Sequence, residues 1–147
     1  MSNQSSSRRV GKLPPRHAFF LNPYKEDRFT RCPECDELMK IRKNPLLVAL
    51  GPTGLMIFNI SGRFCPDCDL LIVHQDIVEE FLITAITQRY RELAGSPYRI
   101  LGTVERKTWR KSKKQAVAWQ EAIENLHDFK EIVEYEIYYA GWEPEEE

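Results

Sequence analysis

Two copies of one short motif, Cys-Pro-x-Cys-Asp, constrain this chain more than any other feature. The first knuckle covers residues 32–36 and the second covers residues 65–69, and together they hold all four cysteines of the 147-residue sequence. The two-residue spacing lets both sulfurs of a tight turn face one ion, and the proline fixes φ in that turn. Two such pairs fit a four-thiolate metal site better than they fit disulfides or redox cysteines.

We therefore expect one structural zinc ion per chain. The expected ligands are Cys32, Cys35, Cys65 and Cys68. His74 follows the second knuckle closely, but four thiolates already complete a tetrahedron, which favours a strand-end surface or capping role for the histidine. Iron is the less favoured metal. Rubredoxins use similar turns with glycine after the second cysteine, whereas Asp36 and Asp69 here add negative charge beside an anionic cluster.

The segment between the knuckles predicts a β-hairpin. Residues 38–42 and 46–50 read as two strands interrupted by Asn44-Pro45, residues 51–54 as a turn, and residues 55–60 as the return strand. Beyond the second knuckle, a buried strand should span residues 70–73. A helix should then begin at Asp76, because apolar residues recur at helical spacing as far as Leu93, before the break at Gly95.

The last third of the chain predicts a strand, a helix and a strand. The strand covers residues 98–104, the helix runs from Lys113 to about Asp128, and alternation predicts a half-buried strand over residues 131–140. The expected fold class is α+β: a zinc ribbon, meaning a β-hairpin with a four-cysteine zinc site, plus a helix, followed by this small unit packed on it. About fifty residues bury too little apolar surface to be stable alone.

These patterns divide the chain into four parts. We expect a flexible tail over residues 1–16, a zinc-ribbon domain with its helix over residues 17–95, a small α+β unit over residues 96–142, and an acidic tail over residues 143–147. The first part is rich in serine and basic residues and offers too little apolar surface to offset the entropy of ordering.

The arrangement of knuckle, β-hairpin and knuckle resembles the zinc-ribbon superfamily. The second knuckle, followed by a short strand and a helix that begins at an acidic residue, also resembles the YgiT-type zinc finger of MqsA-like antitoxins. That resemblance covers Phe29 to about Leu93 and implies a zinc-binding half. MqsA-type antitoxins add a helix-turn-helix half, and no such pair of short helices follows Leu93, so the resemblance does not extend to DNA repression.

Residues 106–114 form a basic run with an indole at its centre, a mixture that can neutralise phosphates and stack on a base. Its candidate nucleic-acid-binding residues are Arg106, Lys107, Trp109, Arg110, Lys111, Lys113 and Lys114. The alternative is a solvated loop whose lysines balance the acidic end of the chain. The net charge is only −1, so any attraction to nucleic acid must be local.

No catalytic constellation is recognisable, and we expect a non-enzyme without a small-molecule substrate. The first functional hypothesis is a zinc-binding adaptor or regulatory protein that binds a protein partner through a strand edge or the aromatic residues 135–142. The alternative is a nucleic-acid- or ribosome-associated module acting through the basic run. No apolar run suits a membrane span, and thiolate ligands suit a reducing environment, so we expect a cytoplasmic protein.

Overall fold

The computed structural model describes residues 9–52, 54–88 and 91–135, which form one seven-stranded sheet with three α-helices. The strands are β1 (Ala18–Asn22), β2 (Lys40–Leu50), β3 (Gly54–Cys65), β4 (Leu70–His74), β5 (Tyr98–Val104), β6 (Leu126–Asp128) and β7 (Glu131–Ile132). The helices are α1 (Gln75–Gln88), α2 (Arg106–Ser112) and α3 (Trp119–Glu124), with a 3-10 turn at Arg91–Leu93. The predicted α+β class is confirmed. Within these ranges no helix has the length and apolar character needed to cross a bilayer.

The sheet curls into a half-barrel. Its strand order is β6-β5-β2-β3-β4-β1-β7, so β6 and β7 lie at opposite ends. Only Phe129 and Lys130 separate these two strands in the chain. Phe129 stacks on Phe19 of β1 with ring centroids 4.1 Å apart, and both side chains are buried. Three residue steps span at most about 11 Å, so the curl of the sheet brings its two ends close together.

The main apolar core fills the concave face and is closed by α1. Its buried members include Phe19, Leu46, Val48, Ile60, Phe64, Leu71, Val73, Val78, Ile100 and Phe129. A second cluster, under the knuckles, contains Phe20, Met39, Leu70 and Ile72 together with Cys32 and Cys65. A third contains Leu47, Val104, Ala122 and Leu126. The alternation of β4 and β1 explains this division, because successive strand residues point to opposite faces of a sheet.

The predicted hairpin is present as β2 and β3, but the predicted break at Asn44-Pro45 is wrong. β2 continues through both residues, with Pro45 paired to Asn59. The reason lies on the other side of the strand, where pairing with β5 begins only at Leu46. Pro45 therefore stands where one side of β2 has no partner strand, and a residue without an N–H group is tolerated there. Residues 40–43 project past β5 as an overhang.

The predicted helix from Lys113 to Asp128 is also wrong. The basic run instead forms α2, α3 is short, and Leu126–Asp128 is strand β6. Leu126 pairs with Val104 in the sheet and is completely buried, so strand pairing outweighs the helical pattern. Trp119, the first residue of α3, is 41% exposed.

The C-terminal strand is shorter than predicted in the described part of the chain. β7 covers Glu131–Ile132 and runs parallel to β1, and the N–H of Val133 continues the pairing by donating to the Phe19 carbonyl. Residues 133–135 are not part of a strand, and the Tyr135 ring packs edge-on against Phe20. The remainder of that prediction, like the acidic tail over residues 143–147, lies outside the described residues.

The prediction of a flexible tail over residues 1–16 does not hold for residues 10–16. Residues 10–16 form a strap along β6, because the carboxylate of Asp128 accepts hydrogen bonds from the N–H groups of Val10 (2.9 Å) and Gly11 (2.6 Å). A Cβ atom at Gly11 would lie 2.2 Å from the Leu126 carbonyl oxygen, so only glycine permits this approach. The N–H groups of Lys12, Leu13 and Arg16 also donate to backbone carbonyls within residues 123–128, so distant partners fix a segment that has little apolar surface of its own. Residues 1–8 lie outside the described residues.

We expect Asp128→Ala to release the start of the strap, where the carboxylate binds Val10 and Gly11, and to lower the free energy of unfolding by about 1.5–3 kcal/mol, the usual contribution of hydrogen bonds to a charged group. Limited proteolysis should then cut within residues 10–16, and thermal denaturation should report the loss. Glu124→Ala, at an exposed glutamate of α3, is the control. Equal protease resistance in the two variants would contradict the role of Asp128.

Candidate functional site

The four cysteines meet at one end of the half-barrel, as the sequence predicts. Their sulfur atoms all lie within 4.8 Å of one another, and Cys35 Sγ and Cys65 Sγ are 3.6 Å apart. Four sulfurs at about 2.3 Å from a tetrahedral ion would be separated by about 3.8 Å. Cys32 and Cys65 are buried, Cys68 is half-buried and Cys35 is exposed. The four thiols are therefore placed to hold one metal ion.

Each knuckle turns its backbone N–H groups towards the sulfurs. The Glu34 N–H donates to Cys32 Sγ over 3.3 Å, and that of Glu37 bonds to Cys35. In the second knuckle the N–H groups of Asp67 and Cys68 bond to Cys65. These bonds favour the thiolate form, in which cysteine binds a metal.

The aspartate that ends each knuckle has a left-handed backbone. Asp36 has φ of 67° and Asp69 has φ of 54°. Aspartate is one of the few residues other than glycine that adopts this conformation readily. The repeated aspartate is thus explained by the turn that it closes. Sequence reasoning considered only its charge, and the shared position after the second cysteine was the signal that could have revealed its backbone role.

We expect Asp36→Ala to destabilise the first knuckle by about 1–2 kcal/mol and Asp36→Gly to preserve it, because a Cβ atom makes the left-handed conformation costly. The Asp36 side chain is exposed, and Arg31 donates to its backbone carbonyl rather than to its carboxylate. Thermal denaturation of the metal-loaded variants is the measurement. Equal losses in the two variants would mean that the carboxylate, not φ, explains the residue.

The four sulfur atoms lie so close together that deprotonating them costs free energy unless a cation is present. The pKa of the Cys68 thiol is raised to about 12, chiefly because Cys35 hydrogen bonds to it and then because of burial. A metal cation reverses this effect, since it stabilises the deprotonated sulfur directly. The donor set is therefore suited to a metal ion, and no other group of His, Cys, Asp or Glu in the described ranges has comparable geometry.

Asp69 ties the second knuckle to two other parts of the fold. Its carboxylate lies 2.7 Å from His17 Nδ1 and 2.9 Å from Lys130 Nζ. Burial raises the pKa of Asp69, but the hydrogen bonds from Lys130 and His17 outweigh it and lower the pKa overall. His17 is itself buried, and burial lowers its pKa more than Asp69 raises it. No local pattern indicated a role for His17, because both Asp69 and Lys130 are distant from it along the chain.

His74 lies at the end of β4, as predicted, but it is buried rather than on the surface. Its Nε2 atom has no hydrogen-bond partner among the described residues, and burial lowers its pKa. The cluster that could hold a metal ion consists of the four cysteines, and His74 is not part of it.

The basic run occupies α2 and the turn after it, and the fold places a second basic segment beside it. Arg106 Nη2 donates over 2.9 Å to the carbonyl of Lys43, which lies in the β2 overhang. The overhang carries Lys40, Arg42 and Lys43, all exposed. We call the overhang and residues 106–114 together the basic surface. The three basic residues of the overhang and the six of the run carry nine positive charges.

Neither contributing stretch contains an acidic residue. The chain has no Asp or Glu between Leu38 and Pro66, and none between Arg106 and Gln120. Sequence reasoning assigned residues 40–43 only to a hairpin strand and missed their charge. The signal was present, since three of these four residues are basic, but nothing local indicated that α2 lies beside them.

The predicted nucleic-acid-binding residues differ in their contacts. Lys111 pairs with Glu121 over 2.8 Å, and Lys113 Nζ lies 4.6 Å from the centre of the Trp109 ring. Arg106 hydrogen bonds to the overhang at the Lys43 carbonyl. Within the described part of the chain, the exposed Lys107, Arg110 and Lys114 make no side-chain hydrogen bond or ion pair. Trp109 is half-buried with Lys113 over its ring, so it is less open to stacking than the sequence suggested.

An apolar groove lies on the opposite side of β5 from β2. β6 pairs only with Gly102–Val104, so residues 98–101 leave one edge of β5 open among the described residues. The groove has a volume of about 320 Å³. It is lined by Phe19, Leu21, Tyr98, Ile100, Phe129 and Ile132, among others. A strand edge beside apolar side chains is the kind of surface that binds an extended peptide.

No protein-family model, curated protein or solved structure matches this chain. The resemblances to the zinc-ribbon superfamily and to the YgiT-type zinc finger therefore stay predictions.

Proposed function

We propose that this chain is a zinc-stabilised protein that binds single-stranded nucleic acid through its basic surface. The observation that carries the proposal is the hydrogen bond from Arg106 to Lys43, which joins two basic segments that are far apart in sequence. A run of charged residues on one short helix is commonly a solvent-exposed surface that binds no ligand. Two runs brought together by the fold, with no acidic residue in either, are better suited to a polyanion.

Zinc is the metal that we propose for the cysteine cluster. Thiolate ligands favour zinc or iron, and structural zinc sites are typically closed tetrahedra of cysteine or of cysteine and histidine. A zinc ion held by Cys32, Cys35, Cys65 and Cys68 would cross-link the two knuckles and thereby fix the start of β2, the end of β3 and the start of β4. Four thiolates leave no open coordination position, so the role of zinc in this proposal is structural rather than catalytic.

Both segments of the basic surface offer exposed basic side chains that can contact phosphates. Lys107, Arg110 and Lys114 are exposed, make no side-chain pair among the described residues, and can each reach a phosphate. Lys40 and Lys43 extend the same charge along the overhang. Trp109 can add stacking on a base when Lys113 moves from its ring, which favours single strands because their bases are free to stack.

The test is a fluorescence anisotropy titration of the zinc-loaded protein against a short labelled single-stranded RNA, repeated between about 50 and 200 mM salt. Five phosphate contacts at about −0.7 each predict a slope of log K against log salt near −3.5. An absence of binding at the lowest salt, or affinity that does not change with salt, would refute the proposal.

The protein-binding adaptor is the second candidate, and the open edge of β5 favours it. Ile132 lines the groove and is 53% exposed, whereas Ile83 on α1 is 60% exposed and lies outside the groove. A peptide that adds to this edge would be excluded by Ile132→Lys and accepted by Ile83→Lys. The experiment is capture from nuclease-treated lysate with both variants. A protein captured equally by both variants, or by neither, would contradict binding at the groove.

A further inference from the structure

The described chain ends beside the first knuckle. Tyr135 packs edge-on against Phe20 with ring centroids 5.0 Å apart, and its hydroxyl donates to the carboxylate of Glu34. The same apolar cluster includes Met39, the residue immediately before the overhang. The last described residue is therefore in the same cluster as the residue from which the overhang starts.

Residues 136–147 follow Tyr135, and their charge is opposite to that of the basic surface. Residues 136–147 contain five glutamates and no lysine or arginine. Four of those glutamates are Glu143, Glu145, Glu146 and Glu147. An extended chain spans about 3.3 Å per residue, so this segment can reach roughly 40 Å from Tyr135. That reach exceeds the length of the overhang and of α2.

We propose that residues 136–147 bind the basic surface of the same molecule and compete there with nucleic acid. The competition with nucleic acid rests on the proposed function, whereas the contact between residues 136–147 and the basic surface does not. A segment tethered at Tyr135 has a high effective concentration at a surface so near, so even weak carboxylate–lysine pairs keep it bound for much of the time. A phosphate backbone displaces it because it offers more charges along one continuous chain.

The contact is tested by zero-length carbodiimide cross-linking of the full zinc-loaded chain, which joins carboxylates to lysines in direct contact. The expected products link the last four glutamates to Lys40, Lys43, Lys107 or Lys114. They should disappear at about 1 M salt, where the screening length falls to about 3 Å. Products limited to other lysines such as Lys25, or no products at low salt, would overturn the contact.

The competition is tested with the full-length quadruple variant Glu143→Gln, Glu145→Gln, Glu146→Gln and Glu147→Gln. If the segment covers the surface nine-tenths of the time, freeing it should tighten RNA binding about tenfold. The control changes the net charge equally through exposed glutamates elsewhere: Glu80→Gln, Glu124→Gln, Glu131→Gln and Glu134→Gln. Equal affinity in the two variants would overturn competition.

The two proposals fail in different ways. If neither wild type nor either variant binds RNA at low salt, the proposed function fails, and the cross-links alone decide whether the acidic segment contacts the basic surface. If wild type binds RNA with the expected salt dependence but no cross-links form, the contact fails and the proposed function stands.

Discussion

Cys65→Ser is expected to leave the purified protein without zinc and with the knuckle end of the half-barrel unfolded. Cys65 is completely buried and belongs both to β3 and to the sulfur cluster. Structural zinc contributes about 10–16 kcal/mol in finger peptides, which exceeds the usual net stability of a small domain. Elemental analysis should find one zinc per wild-type chain and none in the variant, and circular dichroism should show the lost structure.

The control for this substitution is Ser61→Ala, at an exposed position of the same strand. It should keep both the zinc and the fold. Chelation of wild-type protein should reproduce the Cys65→Ser state, and added zinc should reverse it. A wild-type chain that contains no metal, or one that stays folded after chelation, would contradict the structural role. Visible absorption by the purified protein would instead indicate iron.

The triple variant Lys107→Gln, Arg110→Gln and Lys114→Gln is expected to abolish RNA retention at physiological salt and to leave stability almost unchanged. Three lost contacts should reduce the salt slope by about 2. These side chains are exposed, so the change in the free energy of unfolding should stay within about 0.5 kcal/mol. Anisotropy titrations and thermal denaturation measure the two effects. A large fall in thermal stability would mean that the run serves the fold rather than a ligand.

The overhang should behave in the same way if it belongs to the same binding surface. Lys40→Gln with Lys43→Gln should weaken RNA binding and lower the salt slope by about 1 to 1.5. Arg42 is left unchanged because it packs over the Phe64 ring. Lys12→Gln with Lys25→Gln, at two exposed lysines outside both segments, is the matched control. Equal effects of the two pairs would show a general response to charge.

The metal cluster and the central strands could be predicted because their signals are local. The doubled knuckle specifies its own turn, and the turn at residues 51–54 joins two strands that are neighbours in sequence. Strand β4 follows from four consecutive apolar residues, Leu70 to Val73, which are all buried. In each case the residues that carry the signal are the residues that form the structure.

The remaining features depend on partners far along the chain. β6 exists because Leu126–Asp128 pairs with β5, against a helical pattern that continues through Leu126. The start of the strap is held by Asp128, which is 118 residues from Val10. The basic surface likewise depends on a contact between segments far apart in the chain, since Arg106 and Lys43 are 63 residues apart. Periodicity and spacing report on neighbours in sequence, so they cannot indicate which segments will meet.

Whether two separate segments form one nucleic-acid-binding surface is tested most directly by a lysine-acetylation footprint of the zinc-loaded full-length protein, with and without single-stranded RNA at low salt. We expect RNA to protect Lys40 and Lys43 together with Lys107 and Lys114, while Lys25 reacts equally in both samples. Protection of Lys107 and Lys114 alone, or no protection at any of these lysines, would contradict a shared surface.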